Sequence, residues 1–227
     1  MGNAESTCWT VIQAAASGDR AEREEFARRY DPVIREVLRA RWAGTPRASD
    51  VDDAVQDVFL ECLKDGGALG RADTSRPGGF RPYLRGVVRN VALRYEAANG
   101  APGGDPEPDA PDVDAVVTSE RGLSRAFDRA WARYIMREAA GVMARRARSM
   151  GRDAERRVDL LHFRFHEDLP IRDIAARWQA DPAVLHHEYA TARREFREAL
   201  TEVVAFHHPG PPVAVETECA ELLGLLN

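Results

Sequence analysis

Three consecutive segments set the reading of the whole chain: DVDDAVQDVFLECL (residues 50–63), the loop LGRADTSRPGGF (residues 69–80) and RPYLRGVVRNVALRYE (residues 81–96). In the first, Val51, Ala54, Val55, Val58, Phe59 and Cys62 recur at three- and four-residue steps, the period of a helix with one buried stripe. Ser49 or Asp50 is the expected N-cap, and acids in the first turn suit the helix dipole. Asp53, Gln56, Asp57 and Glu61 fall off the stripe and are expected to face solvent or a partner.

The second helix reads differently. Leu84, Val87, Val88, Val91 and Tyr95 form its apolar stripe, and Arg81, Arg85 and Arg89, four apart, form a cationic row beside it. Tyr83, Asn90 and Arg94 flank the other edge. An acidic helix followed by a basic one with aromatic and amide groups interleaved suits a small bundle. Such a bundle meets a basic protein on one side and phosphates on the other.

In combination and at this spacing, the two helices resemble those of bacterial sigma factors of the extracytoplasmic function type, the two-domain minimal sort. DDAVQDVFLECL is similar to the family's polymerase-binding helix and FRPYLRGVVRNVALRY to its promoter-melting helix. The resemblance implies that Asp53, Gln56, Asp57 and Phe59 meet the clamp helices of core RNA polymerase through charge complementarity and an apolar knob. A solvated acidic face is the competing reading. The resemblance also implies that residues 69–79 shape a pocket for an unstacked base of promoter DNA. Asn90 would then bond a base edge or brace that loop, Arg81, Arg85 and Arg89 would steady phosphates, and Phe80 and Tyr83 would stack on bases. For Phe80 a core position competes with stacking.

The chain has 227 residues, of which 44% are hydrophobic and 30% charged, the profile of a soluble globular protein with one sizeable core or two small ones. No apolar run approaches the roughly 18 residues that span a bilayer, so membrane insertion is not expected. Residues 1–6 fit the loose N-myristoylation pattern, which a short degenerate motif also meets by chance. Cys8, Cys62 and Cys219 are scattered and odd in number, which suggests neither a zinc site nor a disulfide framework and fits a reducing cytoplasm. The formal net charge of −5 argues against a DNA-binding protein acting alone. Charge is uneven, however, and a protein that reads DNA within a larger complex need not be basic overall.

Before the central pair, a short helix from Trp9 is expected to stop at Ser17-Gly18-Asp19. A longer one carries Phe26, Tyr30, Ile34, Val37, Leu38 and Trp42, with Pro32 expected to kink or divide it. Past Tyr95 the chain turns rich in Pro, Gly and acid (Asp105, Glu107, Asp109, Asp112, Asp114), a semi-extended linker. Those acids either mimic nucleic acid in a basic channel or keep the linker solvated. Beyond it, Phe127, Trp131, Ile135, Met136, Val142 and Met143 give another helix one apolar face, followed by a cluster of arginines.

The segment LPIRDIAARWQADPAVLHHEYATARREF (residues 169–196) reads as a helix-turn-helix. Ile171, Ile174, Ala175 and Trp178 bury one helix, Gln179-Ala180-Asp181 is the turn, and Asp181 caps a second helix that Pro182 opens. It aligns without gaps with the family's promoter-upstream reader. That implies DNA contact from Asp181, Ala183, Val184, His186, His187, Arg193 and Arg194, with Arg197 adding a phosphate contact. Two departures stand out: Gln179 occupies the usual glycine of the turn, and His186, His187 and Glu188 replace a more basic helix start. A glutamate beside phosphates is unfavourable unless it accepts from a cytosine amine.

The expected architecture is all-α, with two small helical domains joined by a flexible acidic linker and a helix-turn-helix in the second. Its parts are a polymerase- and −10-binding domain (7–97), the linker (98–122), a −35-binding domain (123–206) and a C-terminal extension with a short helix (207–227). The extension either packs on its own chain or binds a regulator, such as an anti-sigma factor. His162 and His166, four apart and followed by Glu167, have a spacing that can hold a metal but lack the His-Glu-x-x-His pattern, and a structural role is expected. No cofactor, metal or catalytic residue is expected. The rival reading is a regulatory interaction protein with a sigma-like fold that titrates polymerase or a partner.

Overall fold

Helices form where the apolar periods place them. In the computed structural model, which describes residues 7–72, 79–98 and 120–226, every regular element is helical. α1 (Cys8–Ala16) ends at Ser17, and Asp19 caps α2 (Arg20–Trp42) by accepting the Glu22 N–H at 3.1 Å. Pro32, expected to kink or divide α2, sits inside one continuous helix. Phe26, Tyr30, Val33, Ile34, Val37 and Leu38 are buried on both sides of it, and this packing outweighs the lost N–H donor.

A 3-10 turn, Pro46–Asp50, runs into α3 (Val51–Leu63). Asp50 is its N-cap, but no side-chain cap bond forms, and Ser49 Oγ donates instead to the Pro46 carbonyl at 3.1 Å. A second such turn, Leu69–Arg71, precedes α4 (Arg81–Ala98). Then come α5 (Glu120–Met150), α6 (Arg152–Phe165), α7 (Ile171–Trp178), α8 (Pro182–His207) and α9 (Pro212–Gly224). Most of the expected base pocket (residues 73–78), the acidic linker and the N-terminal hexapeptide lie outside the described residues.

The chain divides into two compact units, one of residues Met1–Tyr134 with Phe206–Asn227, the other of Ile135–Ala205. This differs from the expected division, in which residue 123 opened the second domain and residues 207–227 were counted as a C-terminal extension. The reason is aromatic burial. Phe127, Trp131 and Tyr134 of α5, and His207 at the end of α8, are buried with the first four helices. Trp131 lies nearly parallel to Tyr30 (6.1 Å, 8°), and Phe80 meets Tyr30 at 5.1 Å, Phe26 at 5.9 Å and Trp9 at 5.8 Å. Each fully buried ring of this kind contributes roughly 2–3 kcal/mol.

The far ends of α2 and α4 are tied by a bidentate pair. Arg41 Nε and Nη2 meet the Glu96 carboxylate at 2.6 and 2.7 Å, and Trp42 Nε1 donates to it at 3.0 Å. Burial alone would raise the Glu96 pKa, but the Arg41 and Trp42 hydrogen bonds outweigh it and hold it below the usual range.

In the second unit, Leu160, Ile171, Ile174, Ala175 and Leu185 form one apolar cluster, flanked by Phe163, Leu169, Trp178 and Tyr189. Met143, Leu161, Ala192 and Ala199 form another, with Val142, Val158, Tyr189 and Phe196 against it. Tyr189 belongs to both and joins the two clusters.

Candidate protein and nucleic-acid interfaces

The buried stripe of α3 (Val51, Ala54, Val55, Val58, Cys62) turns its opposite face outward, leaving Asp53 and Gln56 exposed. Asp57 is half-buried and accepts the Tyr95 hydroxyl at 3.1 Å, so this carboxylate also ties α3 to α4. Burial, with that bond to a carboxylate, pushes the Tyr95 phenol up to about 12. Phe59, expected as the apolar knob, is half-buried with its ring edge-on to Phe26 at 6.1 Å. Leu60, one residue on, is 64% exposed and projects from the acidic face. A helix turns about 100° per residue, so Phe59 rides the edge of the stripe while Leu60 swings clear of it. Sequence reasoning missed Leu60, although its place off the apolar period was the available signal.

Around this face the remaining acids are paired. Asp52 meets Arg35, and Glu61 is shared by Lys64 and Arg94, each at 2.8 Å. The Lys64 hydrogen bond, followed by that from Arg94, holds the Glu61 carboxyl below its ordinary range.

The cationic row of α4 departs from expectation at two positions. Arg81, expected to steady phosphates, has a side chain only 17% exposed and clamped by carboxylates of its own chain. Its Nε and Nη2 lie 3.0 and 2.8 Å from Asp128 of α5, and its Nη1 lies 2.8 Å from Glu218 of α9. Arg85 Nη1 reaches the same Asp128 at 3.5 Å. Burial alone would lower the Arg81 pKa; the Asp128 and Glu218 charges overcome that and raise it. The acids that close over the row come from segments distant in sequence, which a helix-by-helix reading places elsewhere. Arg89 is half-buried, and Asn90 is exposed.

The expected stacking aromatics are engaged as well. Phe80 is fully buried in the aromatic core, which settles its two readings in favour of the core. Tyr83, expected to stack on bases, is half-buried, 6.0 Å from the Phe80 ring, and donates its hydroxyl to the Ala68 carbonyl. It braces the turn before the loop.

In the second unit, α7 and α8 are joined by three residues. Gln179 takes the left-handed conformation (φ +50°), the geometry that a glycine adopts without cost. Asp181 accepts the Ala183 N–H at 2.7 Å and so starts α8. Leu185 is buried, while Ala183, Val184, His186 and His187 of the first turns are exposed, and Arg193, Arg194 and Arg197 are exposed further along.

No protein-family model and no curated protein matches the chain. Glu188, expected among the exposed positions beside phosphates, is turned aside instead. Its Oε2 lies 3.3 Å from Arg156 Nε, close enough for charge attraction but without hydrogen-bond geometry, and the Arg156 guanidinium sits 4.7 Å over the Trp178 ring. The carboxylate lies against its own unit, and the exposed face of α8 keeps His186, His187 and the arginines.

His162 and His166 stack at 4.8 Å, both exposed. Among the described residues no three His, Cys, Asp or Glu are grouped to hold a metal ion, and no helix is long and apolar enough to cross a membrane. Cys8 and Cys62 are buried, and burial pushes both thiols up to about 12.

Proposed function

We propose that the chain is a cytoplasmic transcription initiation factor of the extracytoplasmic function sigma type. In this reading the first unit binds core RNA polymerase and captures the −10 element, and α7 and α8 act as a helix-turn-helix on the −35 element. The observation that carries it is the exposed face of α8, where Ala183, Val184, His186 and His187 precede a run of exposed arginines and Glu188 is withdrawn onto Arg156. A helix start with small, apolar and imidazole groups fits a major groove, and arginines about two and three turns on reach phosphates. The α3 face of Asp53, Gln56 and Leu60 supplies charge and an apolar contact for the polymerase.

In vitro transcription with purified core polymerase on a promoter library tests the reading. Defined start sites that require the protein support it; no transcript and no retention of core overturn it. A second reading, a regulatory interaction protein that binds polymerase without initiating, is favoured by the clamping of Arg81 by Asp128 and Glu218. Retention of core without any transcript selects it.

A further inference from the structure

The C-terminal segment is held to the first unit in two ways of different strength. At its start the grip is tight. The His207 carbonyl accepts the Cys8 thiol at 3.4 Å, and His207 Nδ1 lies 3.3 Å from the Tyr30 hydroxyl. Gly79 (φ +65°) passes so close that a Cβ there would lie 2.6 Å from the His207 carbonyl oxygen. After Pro209-Gly210-Pro211 comes α9, whose grip is lighter: only Val215 and Leu222 are buried, while Val213 and Leu223 are exposed. Glu218 of α9 pairs with Arg81 of α4. His208 Nδ1 also lies 3.3 Å from Glu218, without hydrogen-bond geometry.

We propose that α9 is an intramolecular cover on the nucleic-acid face of α4. Glu218, with Asp128, occupies the guanidinium of Arg81 that a strand phosphate would otherwise take, so the chain binds DNA weakly until α9 is displaced. Glu218 holds Nη1, while Asp128 Oδ1 holds Nε and Nη2; a carboxylate and a phosphodiester oxygen compete for such a donor, and one excludes the other. The anchored start and lightly held helix let α9 swing away while His207 keeps it tethered. This inference rests on the reading of α4 as a DNA-facing helix.

The test compares the full-length chain with Glu218→Gln and with Leu222→Ser, which loosens α9 without touching the ion pair. Affinity for a fluorescent single-stranded oligonucleotide and for a promoter duplex is read by anisotropy across a salt series, with circular dichroism as the fold control. Both variants are expected to bind roughly fivefold more tightly, with a salt slope for the single strand steeper by about 0.7. Adding Arg81→Ala should erase the gain. Unchanged affinity in folded variants, while the unaltered chain still binds DNA and supports transcription, overturns the cover and leaves the functional reading standing. A gain that survives Arg81→Ala overturns the assignment of Arg81. Absence of DNA binding in every folded form overturns the cover and the DNA reading of α4 together.

Discussion

Gln179 shows how one side chain carries a cost that the fold absorbs. It closes α7 in the left-handed region at φ +50°, where a side chain costs roughly 1 kcal/mol relative to glycine. Gln179→Gly is therefore expected to stabilise the second unit by about 1 kcal/mol, seen as a higher urea midpoint at unchanged slope. A lower midpoint would mean that the Gln179 side chain has a compensating role. Glu188 makes the complementary point. On the sequence it stands among exposed positions, but Arg156, itself over Trp178, draws it aside. Only the tertiary neighbour decides which way that carboxylate faces.

At the scale of an element, α3 is an amphipathic helix whose buried side was readable from the period and whose outer side was only half readable. Asp53 and Gln56 are exposed where the period puts them, but the exposed apolar residue is Leu60, while Phe59 is half-buried. Phe59 finds Phe26, a residue of a different helix, and no pattern within α3 reports that. Leu60→Asp is expected to leave thermal stability within about 0.5 kcal/mol, because Leu60 is already exposed. On the proposed reading it should lower retention on core polymerase by roughly thirtyfold, about 2 kcal/mol, and Asp53→Lys should act in the same direction. Full retention with both changes combined would remove α3 from the polymerase contact.

At the scale of the whole molecule, the first unit is closed by residues from the far end of the chain, and its stability should follow pH through them. His207 is buried among Tyr30, Trp131 and Tyr134, and burial lowers its pKa from the ordinary 6.5 to about 3. A buried neutral histidine binds its proton less readily than the unfolded chain does. Its contribution is thus fully present above pH 6.5 and lost progressively as pH falls toward 3. The loss from this one group is at most roughly 5 kcal/mol. Glu96, held below its ordinary range, adds a further loss at lower pH, below the ordinary glutamate value of 4.5. Thermal melting followed from pH 7 to 5, above the Glu96 window, should show a falling midpoint that His207→Gln flattens. An equal slope in the variant would show that other groups set the acid sensitivity.

The sequence by itself determined that this protein is helical, where most of its helices begin and end, and which stripe of each is buried. Those properties depend on neighbours within a few residues, and local periodicity records them. Tertiary structure alone decided that the first half of α5, to Tyr134, and the C-terminal segment pack with the first four helices, that Arg81 and Arg85 meet Asp128 and Arg81 also Glu218, and that Leu60 rather than Phe59 projects. Each of these joins residues distant along the chain, and burial and charge pairing at such separations depend on packing that no local pattern carries.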